Sequence, residues 1–249
     1  MIPIQQEEEI LNLRALSLTP KQIARKLGIK VSEVNTAIQH QAQQSTLNKL
    51  ARGELNQVYQ CLSSENLVQL LPNISSGNGF QHLLKKIVPI KNDGDIDRGL
   101  GMVLIARESR YNQITVCSYL LDVWCLGIKD AMPSRTVDKK IYKEVAESLF
   151  NLFPGKPQEI TLADAQGIIF SACEYAESLG FKPHRDFEKT RSHIGEWDRT
   201  IRIECGRNGK PFYVNGPYDN PQKIIETLNK SVGEGNFEFI IGSAPNDLG

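Results

Sequence analysis

Three places in the second half of this 249-residue chain hold residue types that could do chemistry. In "LLDVWCLGIKDA", residues 120–131, Cys125 has Asp122, Lys129 and Asp130 nearby, and a cation beside a thiol favours the nucleophilic thiolate. Its direct neighbours are Trp124 and Leu126, and free cysteines tend to sit inside, so the core reading is the stronger one. In "GFKPHRDFEKTRSHIGEWDR", residues 180–199, His184 and Asp186, with His193 and Asp198, could act as base and orienter or ligate a metal. Their spacing matches no metal or nuclease motif, and a glycine-ended helix followed by "KPH" reads as an exposed connection. In "VNGPYDNPQKI", residues 214–224, Asn215, Gly216, Tyr218 and Asp219 approach a helix N-terminus, which attracts anions; without glycine-rich spacing, a turn and cap is the plainer role.

The 182–210 segment also carries eight Lys or Arg interleaved with Phe187 and Trp197, just after Phe181. Cations and aromatics together can bind single-stranded nucleic acid by charge and stacking. Five acids dilute the patch, and a solvated face over aromatic core residues explains it equally well.

These candidates must be positioned by a mixed domain beginning near Gly99. "GMVLIAR" and "QITVCSYLLDV", separated by "ESRYN", read as a hairpin of central strands because their apolarity is almost continuous. A helix is expected from near Thr136 to Pro154, with Ile141, Val145, Leu149 and Leu152 on one stripe. A second runs from the Thr161/Asp164 capping box to Gly180, with Ile168, Ala172, Ala176 and Leu179 on one face. "TIRIEC" and "PFYVNG" around "GRNGK" predict a second hairpin with Asn-Gly at its turn. A last helix, capped by Asn220 with Pro221 in its first turn, should end at Gly233 before the strand "FEFII". Cys117, Cys173 and Cys205 fall on apolar faces and read as core.

Upstream the texture is helical. Helix signals run from Glu7 to about Ala42, and "TLNKLARGELNQVYQCLSSENLVQLLP" predicts more helix up to Pro72. "NISSGNG" and "PIKNDGDIDRG" then break the pattern. The expected organisation is a small all-α module over 1–45, a helical linker and turn-rich connection over 46–98, and an α+β domain over 99–249 with antiparallel hairpins and helices on one face.

The stretch "LTPKQIARKLGIKVSEVNTAI", residues 18–38, is the most specific signal. Thr19 can cap a helix, Pro20 suits its first position, and Gln22 completes a capping box. Ala24 permits close helix approach, Gly28 can take the positive angle of a turn, and Val34 packs back on both. Ile23, Leu27, Ile29, Ala37 and Ile38 fill the remaining inward positions, and Ser32 is placed to cap the next helix. This stretch resembles the helix-turn-helix of response-regulator output domains and of the last DNA-binding region of sigma factors, over about residues 8–45. The resemblance implies a second helix, residues 32–40, that enters the major groove of double-stranded DNA. Its outward residues would be Lys30, Ser32, Glu33, Asn35, Thr36, Gln39 and His40. The amides suit adenine edges, while Lys21, Arg25, Lys26 and Lys30 suit phosphates. In the second domain, "YLLDVWCLGIKDA" and "YAESLGFKPHRDFE" resemble phrases of an uncharacterised bacterial family, which implies no activity.

Charge limits the reading. Lys+Arg and Asp+Glu balance at 29 each over the whole chain, so only a local field can point to nucleic acid. Residues 1–52 hold seven Lys or Arg against four Glu, a modest excess that makes a homo-oligomer or a partner the expected route to useful affinity. Five cysteines without a C-x-x-C pair argue against a disulfide framework or a thiolate zinc site, and the acidic N-terminus and lack of long apolar runs against a membrane protein. The expectation is a cytoplasmic, bacterial-type, sequence-specific DNA-binding regulator without cofactor or metal, its second domain sensing or oligomerising. The alternatives are an enzyme using Cys125 or His184/Asp186, and a protein-interaction adaptor.

Overall fold

The computed structural model describes residues 4–16, 18–52, 55–72 and 99–241. The turn-rich reading of 73–98 therefore lies outside the described residues.

Three helices open the chain, α1 (Ile4–Ala15), α2 (Pro20–Leu27) and α3 (Val31–Ala51). Ile10 and Leu13 of α1 pack with Ile23 and Ala24 of α2 and with Val34, Ala37 and Ile38 of α3, with Leu18, Leu27 and Ile29 half-buried around them. The capping box at the start of α2 is formed as expected: Gln22 N–H donates to Thr19 Oγ1 at 3.3 Å, and Thr19 N–H donates to Gln22 Oε1 at 2.9 Å. Gly28 ends α2 at φ 67°, donating its N–H to the Ala24 carbonyl. The cap of α3 differs from the Ser32 expectation. Glu33 reaches back so that Lys30 N–H donates to its carboxylate at 2.8 Å, and the Lys30 carbonyl accepts the first helical bonds. Ser32 already lies inside the helix, where its carbonyl accepts the Thr36 hydroxyl at 2.9 Å.

The second part is the α+β domain read from the sequence, with one further strand on one side of its first hairpin and two on the other. Strands β1 (Val58–Ser63), β2 (Leu100–Glu108), β3 (Gln113–Asp122), β4 (Gly127–Asp138) and β5 (Gln158–Ile160) form an antiparallel sheet in the order β4-β3-β2-β1-β5. The β2 and β3 side chains alternate between two buried faces. Val103, Ile105, Cys117, Tyr119 and Leu121 face one core, and Leu104, Ala106, Ile114 and Val116 the other. Double burial is why the two strands read as unbroken apolar runs.

The first core lies under helices α6 (Leu162–Ser178) and α7 (Phe187–Ile194); α5 (Tyr142–Phe150) packs on the opposite face. A single turn, α4 (Glu65–Val68), follows β1. Beyond α7, β6 (Phe212–Val214) and β7 (Glu238–Ile240) form a two-stranded parallel sheet joined by α8 (Pro221–Ser231).

Four local expectations are corrected. Helix does not continue to Pro72: "VYQCLS" is β1, held between β2 and β5. No helix starts at Thr136 because β4 runs to Asp138; Pro133 is tolerated there since β4 is an edge strand whose register shifts beside it. The face that α5 buries is Tyr142, Ala146 and Phe150, while Ile141 and Leu152 are exposed. The turn at Asn208 and Gly209 has its positive angles, but "TIRIEC" is not a strand and "PFYV" pairs in parallel with β7. The α6 capping box, its buried stripe and the Asn220 cap of α8 are as expected. No helix among the described residues is long and apolar enough to cross a membrane.

Candidate nucleic-acid interface

On α3 the residues between the inward set of Val34, Ala37 and Ile38 point away from the three-helix core. Ser32, Asn35, Thr36 and His40 are exposed, and Gln39 is half-exposed. They recur at three- and four-residue intervals and so line one face. Lys21, Arg25 and Lys26 on α2 and Lys30 before α3 are exposed as well. Among the described residues none of these four cations has a carboxylate within ion-pair distance, unlike Lys129, Lys189, Arg191, Arg199 and Arg202 of the second domain.

Two members of the expected face have other engagements. His40 Nδ1 lies 2.8 Å from Glu7 Oε1, tying α3 to α1. The Thr36 hydroxyl is turned onto its own helix. Glu33, the acid among the outward residues, is folded back onto the Lys30 N–H, so its negative charge sits at the start of the helix, where the backbone dipole favours it. The side chains of Asn35 and Gln39 have no intramolecular hydrogen bond among the described residues, which leaves both carboxamides open to an external partner.

The catalytic candidates are not assembled into a site. Cys125 is fully buried, and burial together with the Asp122 carboxylate pushes its thiol up, outweighing the pull of Lys129 toward the thiolate. Asp122 accepts the backbone N–H groups of Trp124 and Cys125 at 3.0 Å each, which is a turn clamp. His184 Nδ1 stands 3.6 Å from Asp130 and 3.9 Å from Asp186, but Asp186 is committed to Lys189 at 2.6 Å, the bond that chiefly holds its carboxyl below the usual range. His193 belongs elsewhere: its Nε2 faces the Ile105 carbonyl at 3.0 Å under β2. Asp198 binds Thr200. Among the described residues no three His, Cys, Asp or Glu side chains could hold a metal together.

The other two candidates are structural as well. Asp219 is paired with Lys129 at 2.9 Å and accepts the Gly216 N–H at 2.7 Å, pinning the 214–219 loop to β4, while Tyr218 points into solvent. Trp197 stacks on Phe170 at 5.4 Å, and the guanidiniums of Arg199 and Arg202 lie 5.4 and 4.7 Å from the centre of its ring while both bind Glu174. Phe187 is buried, and Phe181 packs half-buried beside Leu179 and Leu228.

Two features escaped the sequence reading. Arg107, in the middle of an apolar strand, is only 2 % exposed and holds three backbone carbonyls, those of Asn56, His193 and Ile194. Its signal was a lone charge in "GMVLIARE". Lys49 and Ser45 of α3 both bind Glu196, for which the sequence carries no signal because 147 and 151 positions separate the partners. No family model, no curated protein and no solved structure matches the chain.

Proposed function

We propose that this chain binds double-stranded DNA in a sequence-dependent way, with the first turns of α3 in the major groove and the α+β domain setting its orientation and valency as part of a regulator. One observation carries the reading. An exposed carboxamide-bearing helix face is bordered by Lys21, Arg25, Lys26 and Lys30, four cations left without acidic partners among the described residues. Phosphate contacts position a protein on the duplex and base contacts specify the sequence, and this surface supplies both kinds of group. Against the enzyme alternative stand the burial of Cys125, which disfavours its thiolate, and the bond of Asp186 to Lys189, which engages the carboxylate expected to orient His184.

The test is fluorescence anisotropy of the full chain with random duplex DNA at several salt concentrations, followed by sequencing of the retained fraction. Four phosphate contacts correspond to a log–log salt slope of about −4 per protomer, and Arg25→Ala should lower its magnitude by about one. Asn35→Ala and Gln39→Ala should each cost about 1–3 kcal/mol of discrimination at one base pair with little change in slope. Absence of retention at low salt, or an enriched site indifferent to both amide substitutions, would remove this assignment.

A further inference from the structure

Arg107 presents a problem of charge. Its guanidinium lies inside the second domain, and a buried charge is normally matched by an opposite one. Here no carboxylate pairs with it among the described residues. The titratable groups that bear on it most are Cys61, Tyr119 and Cys117, all neutral, and burial lowers its pKa from the usual value. The carbonyls of His193 and Ile194 at the end of α7 offset part of the charge, as a helix C-terminus does. They do not exhaust its donors. A guanidinium carries five N–H groups, and three bonds are made: Nε to His193 O at 2.7 Å, Nη1 to Asn56 O at 2.8 Å, and Nη2 to Ile194 O at a long 3.4 Å.

Arg107 also lines an open notch of about 160 Å³ whose wall includes Lys189 and the hydroxyl residues Thr115, Ser134 and Ser192. Ser134 and Ser192 are exposed, and neither hydroxyl has a partner among the described residues. Lys189 shares its charge with Asp186, so the net positive charge of the notch rests on Arg107. His193 adds no second charge at neutral pH, since burial pushes its imidazole down to about 4. A fixed planar cation, spare N–H groups and hydroxyl donors in a space of this size match a tetrahedral oxyanion, for which Arg is the preferred partner.

We propose that the notch at Arg107, between β2, β3, β4 and α7, is a binding site for a phosphate-type oxyanion, either free or as the terminal group of a small phosphate monoester. The site lies beside the contacts between α3 and the second domain. Asn56, whose carbonyl Arg107 holds, follows α3, and α7 leads directly into Glu196, which holds Lys49 and Ser45 of α3. Any influence of the anion on DNA binding rests on the function proposed above; occupancy of the notch does not.

The test is thermal unfolding of the full chain without DNA, in sodium chloride against inorganic phosphate, sulfate or phenyl phosphate at equal ionic strength. The expected result is a rise in midpoint that grows with the logarithm of the phosphate concentration, as specific binding to the folded state requires. A larger rise with phenyl phosphate assigns a monoester, and an equal or smaller one assigns the free ion. Because Arg107→Ala removes a buried anchor and can unfold the domain, the diagnostic variants are Ser192→Asp and Ser134→Asp. Each supplies a carboxylate at the notch, so each should raise the midpoint in chloride and abolish the phosphate-dependent rise. No difference between phosphate and chloride, or an undiminished rise in both variants, would overturn the proposal. With no DNA in the assay, that failure would leave the DNA reading untouched, and loss of DNA binding would leave the notch untouched.

Discussion

Lys49, near the end of α3, places its ammonium nitrogen 2.7 Å from Oε1 of Glu196 in the loop after α7. Ser45 donates to the same oxygen at 2.6 Å, so one carboxylate docks the proposed DNA-reading helix on the α+β domain. Burial raises the Glu196 carboxyl, but the bonds from Lys49 and Ser45 outweigh it and hold the group below the usual range. A carboxyl depressed by folding stabilises above its unfolded pKa, near 4.3, and loses that contribution as pH falls through the lower folded value. The latch is therefore closed at neutral pH.

Glu196→Gln tests this latch. The two side chains are 41 % and 43 % exposed, so the change in global stability should stay under about 1 kcal/mol. The local effect should be larger than the global one. Tryptic cleavage after Arg52 should accelerate in the variant while the unfolding midpoint hardly moves. Equal cleavage rates would mean that the docking of α3 does not depend on this contact.

Gly28→Ala tests the turn of the three-helix module. At φ 67° a side chain is strained whatever the surrounding space, and an added Cβ would meet nothing within 4 Å, so the effect is purely conformational. A loss of about 1 kcal/mol is expected, with Gly28→Asn losing less because Asn tolerates this region. Urea unfolding followed by circular dichroism measures both, and identical stability of all three proteins would rule out the strained turn.

Where the sequence was legible, the information was local. Thr19 with Gln22, Thr161 with Asp164, and Asn220 with Lys223 satisfy helix ends within one turn, and each was readable from spacing alone. β1 was not, because "VYQCLS" lacks strong alternation and lies between helix-forming stretches; it becomes a strand by pairing with β2 and β5, partners far along the chain. β4 was hidden by Pro133, which edge position and a register shift accommodate. The exposed α3 face followed from the period of its buried residues. Arg107 and Glu196 did not, since their partners are set by tertiary packing.

Asp219→Asn tests the clamp below the 214–219 loop. Lys129 and Asp219 are 17 % and 12 % exposed, so removing the charge of one strands the other in a poorly hydrated place. A loss of about 3 kcal/mol is expected. The variant should also lose order in the Gly216 turn, whose N–H the carboxylate accepts at 2.7 Å, visible as faster amide exchange there than in β4. A change below about 0.5 kcal/mol would show that the pair is screened as a surface bridge would be.

His193 gives the pH dependence. Burial is the main cause that pushes its imidazole down to about 4, with Arg107 adding in the same direction and the Ile105 carbonyl opposing both. The unfolded state therefore takes up its proton near pH 6.5 while the folded state resists, and the contribution of neutral His193 is lost as pH falls from about 6.5 to 4. A shift of this size amounts to roughly 3 kcal/mol. Asp122 works against it: burial pushes its carboxyl up to about 6, so the folded state binds that proton first and gains stability over nearly the same interval. The wild-type stability curve should then be nearly flat between pH 7 and 4. His193→Gln keeps a donor for the Ile105 carbonyl and removes the titration, which leaves Asp122 unopposed. Guanidinium unfolding at a series of pH values should show the variant less stable than wild type at pH 7 and gaining on it by up to about 3 kcal/mol at pH 4. Parallel curves would mean that His193 is hydrated enough to titrate normally, and the packing of α7 on β2 would have to be looser than the 3.0 Å contact with Ile105 describes.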